Sequence, residues 1–424
     1  MIFLQQIIAS IKANIKFIAA YAILFITYII IIPKYGHDWD LACWNGWSKY
    51  IFTNGLGNVY KSLTDYLPLY HYILYLFGLI QGSIEDIDRN IYLLKIITII
   101  IEFIGGLFLI KLIKEKIDNP YEWFFYSMFY FLNIAVFYNS IIWGQVDGIL
   151  ATLVFISVFY AIKEKVLFSL LFFVLAINMK LQAVIFIPII GLILLPIMVN
   201  KFSIKNLAAW IGLIVTLQIL ILLPFIIKDD IGRVSNVIFG SFGKYPVVSM
   251  NAYNIWTWFL KGDLMRIPDT TLFMGITYKT WGLLLFILSS FFALWPLLKM
   301  AYYKIIRKSL DSISAEKIML ISALIPLLFF FFNTQMHERY SHPALIFAIT
   351  YSILSKNFLP SVIICLAYLL NMEDVLHYLQ LDNYNTFFFK KHFIAIIYAV
   401  GILLLYARLF ELRLNFKSHA ISKG

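Results

Sequence analysis

Apolar runs of about 20 residues recur along the whole chain, separated by short polar breaks. Each run is long enough to cross about 30 Å of hydrocarbon as a helix. In lipid every backbone polar group must be satisfied within the protein, so these runs are read as helices despite their many Ile, Phe and Tyr residues. The alternating ten-residue segments of a membrane β-barrel are not seen. The pattern predicts spans at about 17–33, 91–113, 121–138, 148–162, 166–179, 183–199, 207–227, 280–299, 318–333, 342–355, 358–371 and 392–410. The expected fold is therefore an all-α integral membrane bundle of about twelve transmembrane helices. It forms a single polytopic domain, 1–424, with no soluble domain. The run "PLYHYILYLFGLI" at 68–80 is only 13 residues long. It is expected to be an interfacial or re-entrant helix rather than a crossing.

Charge changes the picture by giving it two sides. With 68–80 left uncrossed, 19 of the 34 Lys and Arg residues fall on one face, mostly in short loops, against 7 of the 23 acidic residues. That face is read as cytoplasmic. The three longest loops, 34–90, 228–279 and 372–391, then lie outside. So do the polar turns "IIWGQVDG", "NMKLQ" and "MHERYSHP". The first outer loop is expected to carry short interfacial helices. The net charge of +11 is assigned to cytoplasmic lysines rather than to a nucleic-acid partner. Composition agrees: 62% of residues are hydrophobic and only 13% charged, where a soluble domain carries about 25%. Lys12 and Lys16 precede a first apolar run too long for a signal-peptide core, so an uncleaved first span is expected. Cys43 and Cys365 make no disulfide framework. No internal repeat is visible, which argues mildly against a transporter built from duplicated halves.

Four polar clusters could carry chemistry. The first loop places His37, Asp38, Asp40 and Asp65 among Trp39, Trp44 and Trp47. A solvated loop with an aromatic belt accounts for this, and so does an acid–base site, since a carboxylate near apolar walls can serve as a general base. Asp65, in "TDYLPL", reads as a turn residue bonded to its own backbone. In "IIWGQVDGIL", Gln145 and Asp147 open a span, and Asp147 fits an ordinary helix N-cap. Lys180 and Gln182 interrupt an apolar stretch; Lys180 could snorkel to the interface or face inward as a seat for phosphate. In "MHERYSHP", Arg339 suits a phosphate bidentately and His337 can add a donor, with Glu338 orienting either. His337 and His342 are five apart, not at the i, i+4 spacing of a zinc pair, so no metal ligand is assigned, although a divalent ion is not excluded.

With these stretches in view, the chain resembles bacterial mannosyltransferase-like proteins related to the second mannosyltransferase of GPI-anchor synthesis. Those proteins belong to the GT-C class of polytopic glycosyltransferases. The resemblance is carried by "DLACWNGW" followed by "TNGLGNVY", then "TDYLPLYHYILYLFG", "WGQVDG", "MKLQAVIFIP", "NAYNIW" and "MHERYSHPAL", in that order. Leu67 stands where the family has the first of two prolines. The resemblance implies a GT-C-like architecture and no cofactor. It implies transfer of a sugar, mannose or another hexose, from a polyprenyl-phosphate donor to a hydroxyl of a lipid-linked or glycan acceptor. The implied setting is a bacterial inner membrane, with the site on the outer face. It also implies that Asp40, with Asp38 as rival, is the base of an inverting displacement. Arg339, His337, Lys180 and Gln182 would then hold the donor phosphate, supported by Glu338, Tyr340, Gln145, Asp147, Asp65 and Tyr66. A polytopic lipid or polysaccharide flippase is the competing class; it should place key charges in mid-span.

Overall fold

The computed structural model describes residues 2–241, 243–308 and 312–412, and of residues 2–13 the backbone alone. The Lys12 side chain and the tail charges Arg413, Lys417 and Lys423 lie outside the described residues. The chain is almost entirely helical. In order, the helices are α1 (Ile2–Ile30), α2 (Asp38–Asn54), α3 (Pro68–Gln81), α4 (Ile84–Asn90), α5 (Leu94–Ile113), α6 (Pro120–Phe131), α7 (Ile134–Phe137), α8 (Asp147–Ile162) and α9 (Val166–Met179). They continue with α10 (Ile187–Asn200), α11 (Ile204–Ile227), α12 (Ile231–Gly240), α13 (Trp256–Phe259), α14 (Tyr278–Ile306), α15 (Ala315–Phe332), α16 (Pro343–Ser355), α17 (Leu359–Leu376) and α18 (Lys391–Leu409).

Each predicted span falls on a helix, but not every helix is a span by length. Seven helical stretches among the described residues are long and apolar enough to cross. An eighth is counted if α6 and the helix after it, bent by 42°, act as one. The described part of α1, with α8, α9 and α16, is shorter. At about 1.5 Å per residue the 14 residues of α9 reach only about 21 Å. For α8 and α16 the physical reason is burial. Helices α8 and α16 lie inside the bundle, with almost every side chain covered by protein, so neither has to match the lipid alone.

The bundle has a clear centre. In α15, 72% of the apolar window is buried in protein, against 17% in α11. Helix α15 packs on α14, α16 and α18, and α8 packs on α5, α9, α10 and α16. Between spans the driving force is close packing rather than burial from water, and the central core is accordingly dense in Phe, Leu and Ile.

Loop 34–90 is folded. Helices α2, α3 and α4 and a 3₁₀ turn at Leu56–Ser62 pack on one another. Their core includes Trp44, Trp47, Tyr70 and Phe77, and it joins Val146, Met179 and Phe225 at the ends of the spans below. Loop 228–279 has its own small core of Val248, Trp256, Leu264 and Tyr278. Its strand β1 (Ser249–Met250) and a hairpin, β2 (Leu272–Phe273) with β3 (Ile276–Thr277), are short. Strand β1 runs parallel to β4 (Met336–His337), in the register Met250 to His337. That pairing ties the loop to the polar stretch after α15.

Candidate functional site

Helix α2 begins at Asp38, and residues two apart on a helix point about 200° apart. Asp38 is exposed, while Asp40 turns inward and is 9% exposed. The Asp40 Oδ2 accepts the Trp143 indole N–H at 2.7 Å and lies 3.1 Å from His37 Nδ1. The His37 ring stacks on the Trp143 indole with centroids 4.7 Å apart, and the His37 amide donates to the Trp143 carbonyl. Burial pushes the Asp40 carboxyl up, but the Arg339 guanidinium and hydrogen bonds from His37 and Gln145 outweigh it. The net effect holds the carboxyl well below the usual range, so Asp40 is ionised and oriented at neutral pH.

Trp143 is aimed by an irregular turn. Residues Tyr138–Trp143 form a π-helical turn closed by Gly144 at φ +88°, a conformation that glycine adopts without a Cβ penalty. Such π-turns occur frequently at functional sites. Three residues on, Asp147 and Gly148 start α8. A Cβ at Gly148 would run into the Glu102 carboxylate.

The second half of the site comes from the stretch after α15. Arg339 donates from Nη1 to Glu338 Oε1 at 2.6 Å, and its Nε lies 3.7 Å from Asp147 Oδ2. Lys180 forms an ion pair with Asp147, which also accepts the Asn139 side-chain amide at 3.2 Å. Lys180 sits 5.2 Å from the centre of the Tyr340 ring, and Gln182 donates to the Tyr340 carbonyl at 2.6 Å. Gln145 accepts the Tyr66 hydroxyl at 3.2 Å. The His337 ring lies 5.0 Å from both Tyr245 and Tyr340. Burial, reinforced by Arg339, keeps the His337 pKa well below its usual value, so the ring is neutral. Burial also raises the Glu338 pKa despite the guanidinium beside it.

At the end of the bundle that carries loop 34–90 lies a cavity of about 280 Å³. Asp40, Tyr66, Tyr245, His337, Glu338 and Arg339 line it, and Asp65 stands at its wall in an ion pair with Lys244. Three stretches far apart in sequence therefore converge on one space. Asp38, Lys180, Gln182, Gln145, Asp147 and Tyr340 are not among the lining residues.

Two local expectations are corrected, for Asp147 and Asp65, and of the two readings open for Lys180 the inward one holds. Asp147 does not cap its helix: Val146 is the N-cap, no side chain caps there, and the carboxylate is taken by Lys180 and Asn139. Asp65 does not fold onto its own backbone; Thr64 takes the turn contact with the Tyr66 amide, and Asp65 reaches Lys244. Lys180 does not snorkel to the interface. It faces inward behind Arg339, because the buried Asp147 carboxylate is its partner.

Sequence reading missed the polar chain beneath the cavity. Asn139 joins Asp147 to the Tyr368 hydroxyl, which meets His342 Nδ1 at 3.1 Å. His342 Nε2 lies 3.7 Å from Glu102, which accepts from Ser140 at 2.6 Å. A lone carboxylate in the apolar run "IIIEFIGG" was the available signal. Lys95, 2% exposed, was also missed. Its ammonium holds the carbonyls of Pro33 and Tyr35 and lies 3.4 Å from that of Ile142, stitching the chain before α2 to the π-turn.

Chemically, the arrangement offers an ionised carboxylate and a guanidinium on one cavity, with aromatic walls. It suits a ligand that carries both an anion and a hydroxyl. Among the described residues no group of three or more His, Cys, Asp or Glu side chains is placed to hold a metal ion. No protein-family model and no curated protein sequence matches the chain.

Proposed function

We propose that the chain is a polytopic glycosyltransferase of GT-C-like architecture with about twelve membrane helices. It would move a hexose from a polyprenyl-phosphate donor to a hydroxyl of a lipid-linked or glycan acceptor. The proposed setting is the outer face of a bacterial inner membrane. The observation that carries this reading is the convergence of Asp40 and Arg339 on one cavity at the end of the bundle that carries loop 34–90. The acceptor hydroxyl attacks the anomeric carbon and gives its proton to Asp40 as the new bond forms. The bond from that carbon to the phosphate oxygen breaks on the opposite side, so the anomeric centre inverts. Trp143 and His37 hold the receiving carboxylate in place. Charge gathering on the departing lipid phosphate is met by Arg339, with the neutral His337 as a further donor. Lys180 acts from behind by holding Asp147, which fixes the guanidinium.

One observation favours the flippase alternative. Glu102 and His342 form a buried polar pair beneath the site, Glu102 within a span, as proton-coupled transporters have. The test is transfer from radiolabelled polyprenyl-phosphate sugars to a native membrane extract, using purified wild type, Asp40→Asn and Asp38→Asn. Transfer by wild type and Asp38→Asn, with a loss of about 10²-fold or more in Asp40→Asn, is expected. Full activity in Asp40→Asn would remove the base. No transfer by any form would move the weight to transport.

A further inference from the structure

The buried site holds three carboxylates, Asp40, Asp147 and Glu338, against two cations, Arg339 and Lys180. His337 adds no charge, because burial and Arg339 keep it neutral. A donor phosphate enters this space as a fourth anion. With little water to screen it, an excess of negative charge is costly, and one carboxylate must give way.

The three carboxylates are not equally committed. Asp147 keeps Lys180 and Asn139 whatever Arg339 does. Asp40 keeps the Trp143 indole and His37. Glu338, 3% exposed, has the Arg339 Nη1 as its only cation among the described residues and its own backbone N–H as a further donor, while His337 Nδ1 lies 3.9 Å away, beyond hydrogen-bond reach. The groups that face Glu338 are Arg339, His337 and Tyr340 on its own stretch, Asp40 from α2 and Tyr253 from loop 228–279. Arg339 is the one permanent cation paired with it among the described residues.

We infer that a donor phosphate takes Arg339 from Glu338, and that Glu338 binds one proton from solvent as the phosphate arrives. The inference rests on the reading above that the ligand of Arg339 is a phosphate. The carboxylate becomes a neutral acid, Arg339 turns to the phosphate, and the proton returns to solvent when the lipid phosphate leaves. Burial already biases Glu338 toward its protonated form. The liganded state thus holds one more proton than the free state. Affinity is therefore highest below the Glu338 pKa of the free site. It falls about tenfold per pH unit between the free and bound pKa values, then levels off.

The experiment is titration calorimetry on the full chain in nanodiscs. The probe is citronellyl-phosphoryl mannose, a phosphodiester whose own charge is constant between about pH 6 and 8. Repeating the titration in buffers of different ionisation enthalpy gives the number of protons taken up. About one proton is expected for wild type. Glu338→Gln, which keeps shape and removes the titrating group, should bind with no uptake and no dependence on pH. Wild-type binding without proton uptake overturns the inference and leaves the proposed function standing. Uptake that persists in Glu338→Gln overturns it too, by placing the proton elsewhere. Failure of wild type and variant to bind any such diester removes the proposed function and this inference together.

Discussion

Two charged cavities sit at opposite ends of the bundle, and the larger is the less informative. The one at the ends of α15, α16 and α18 that carry Lys317, Ser355 and Arg408 has a volume of about 610 Å³, more than twice that of the cavity lined by Asp40 and Arg339. Its charges are in water. Lys317 pairs with Glu411 at 3.2 Å with the two side chains 33% and 81% exposed. In the smaller cavity Arg339 pairs with Glu338 at 2.6 Å with the side chains 10% and 3% exposed. A pair in water contributes about 0–1 kcal/mol and carries little constraint. A buried pair has to overcome a desolvation cost of several kcal/mol per ion. A chain with so few charges that still buries four of them together at one end, with Lys180 part-buried beside them, is keeping them for something other than stability. Volume measures space; the cost of the charges points to the site.

The sharpest way to break this comparison is to delete one cation at each end. Arg339→Ala leaves Glu338 without its cation and Asp147 with Lys180 and Asn139. Sugar transfer should fall by about 10³-fold, as when a main transition-state donor is removed. Arg408→Ala, at the other cavity, should leave transfer unchanged. Arg339→Lys refines the test: it keeps the charge but not the planar fork, so the fold should survive while transfer stays low. Equal loss from Arg339→Ala and Arg408→Ala would end the distinction between the two cavities.

Much of this contrast could be read from the chain, and the unread part has a physical cause. Hydrophobic runs located each of the seven membrane-length helical stretches among the described residues, because in a bilayer the demand for internal hydrogen bonding leaves few alternatives. Length was read less well. Nothing in the composition of 148–162 or 342–355 says that α8 and α16 are wrapped by protein rather than lipid, since both surroundings select the same apolar residues. At the site, Asp40, His337, Glu338 and Arg339 stood out as polar groups in greasy sequence. Trp143 and Tyr245 did not, because an aromatic residue at a membrane edge has an ordinary explanation. Asp38 and Asp40 were indistinguishable until the start of α2 was fixed, since one residue of helix phase decides which of them faces inward.

A smaller effect is expected one layer behind the cavity. Lys180→Met leaves the fully buried Asp147 with Asn139 at 3.2 Å and Arg339 at 3.7 Å. Breaking a buried pair costs about 3–5 kcal/mol, and the remaining partners place this loss near the low end. Thermal unfolding in detergent should show a clear drop. Adding Asp147→Asn to Lys180→Met should recover most of it, because the uncompensated charge is then gone. A double variant no more stable than Lys180→Met alone would mean that Lys180 supports the fold by packing on Tyr340 rather than by its charge.

The smallest effect belongs to the exposed pairs, and it is the control on which the contrast depends. Lys317→Ala removes the 3.2 Å contact with Glu411 and trims a side chain that is one-third exposed. The Ser314 cap on the Lys317 amide uses backbone and survives the change. Water replaces the lost partner at once, so stability should move by about 0.5 kcal/mol or less, and transfer should not move. The same unfolding assay used for Lys180→Met checks this directly. A drop from Lys317→Ala as large as that from Lys180→Met would mean that exposure does not separate the two ends. Buried charge would then no longer mark one end of the bundle as the functional one.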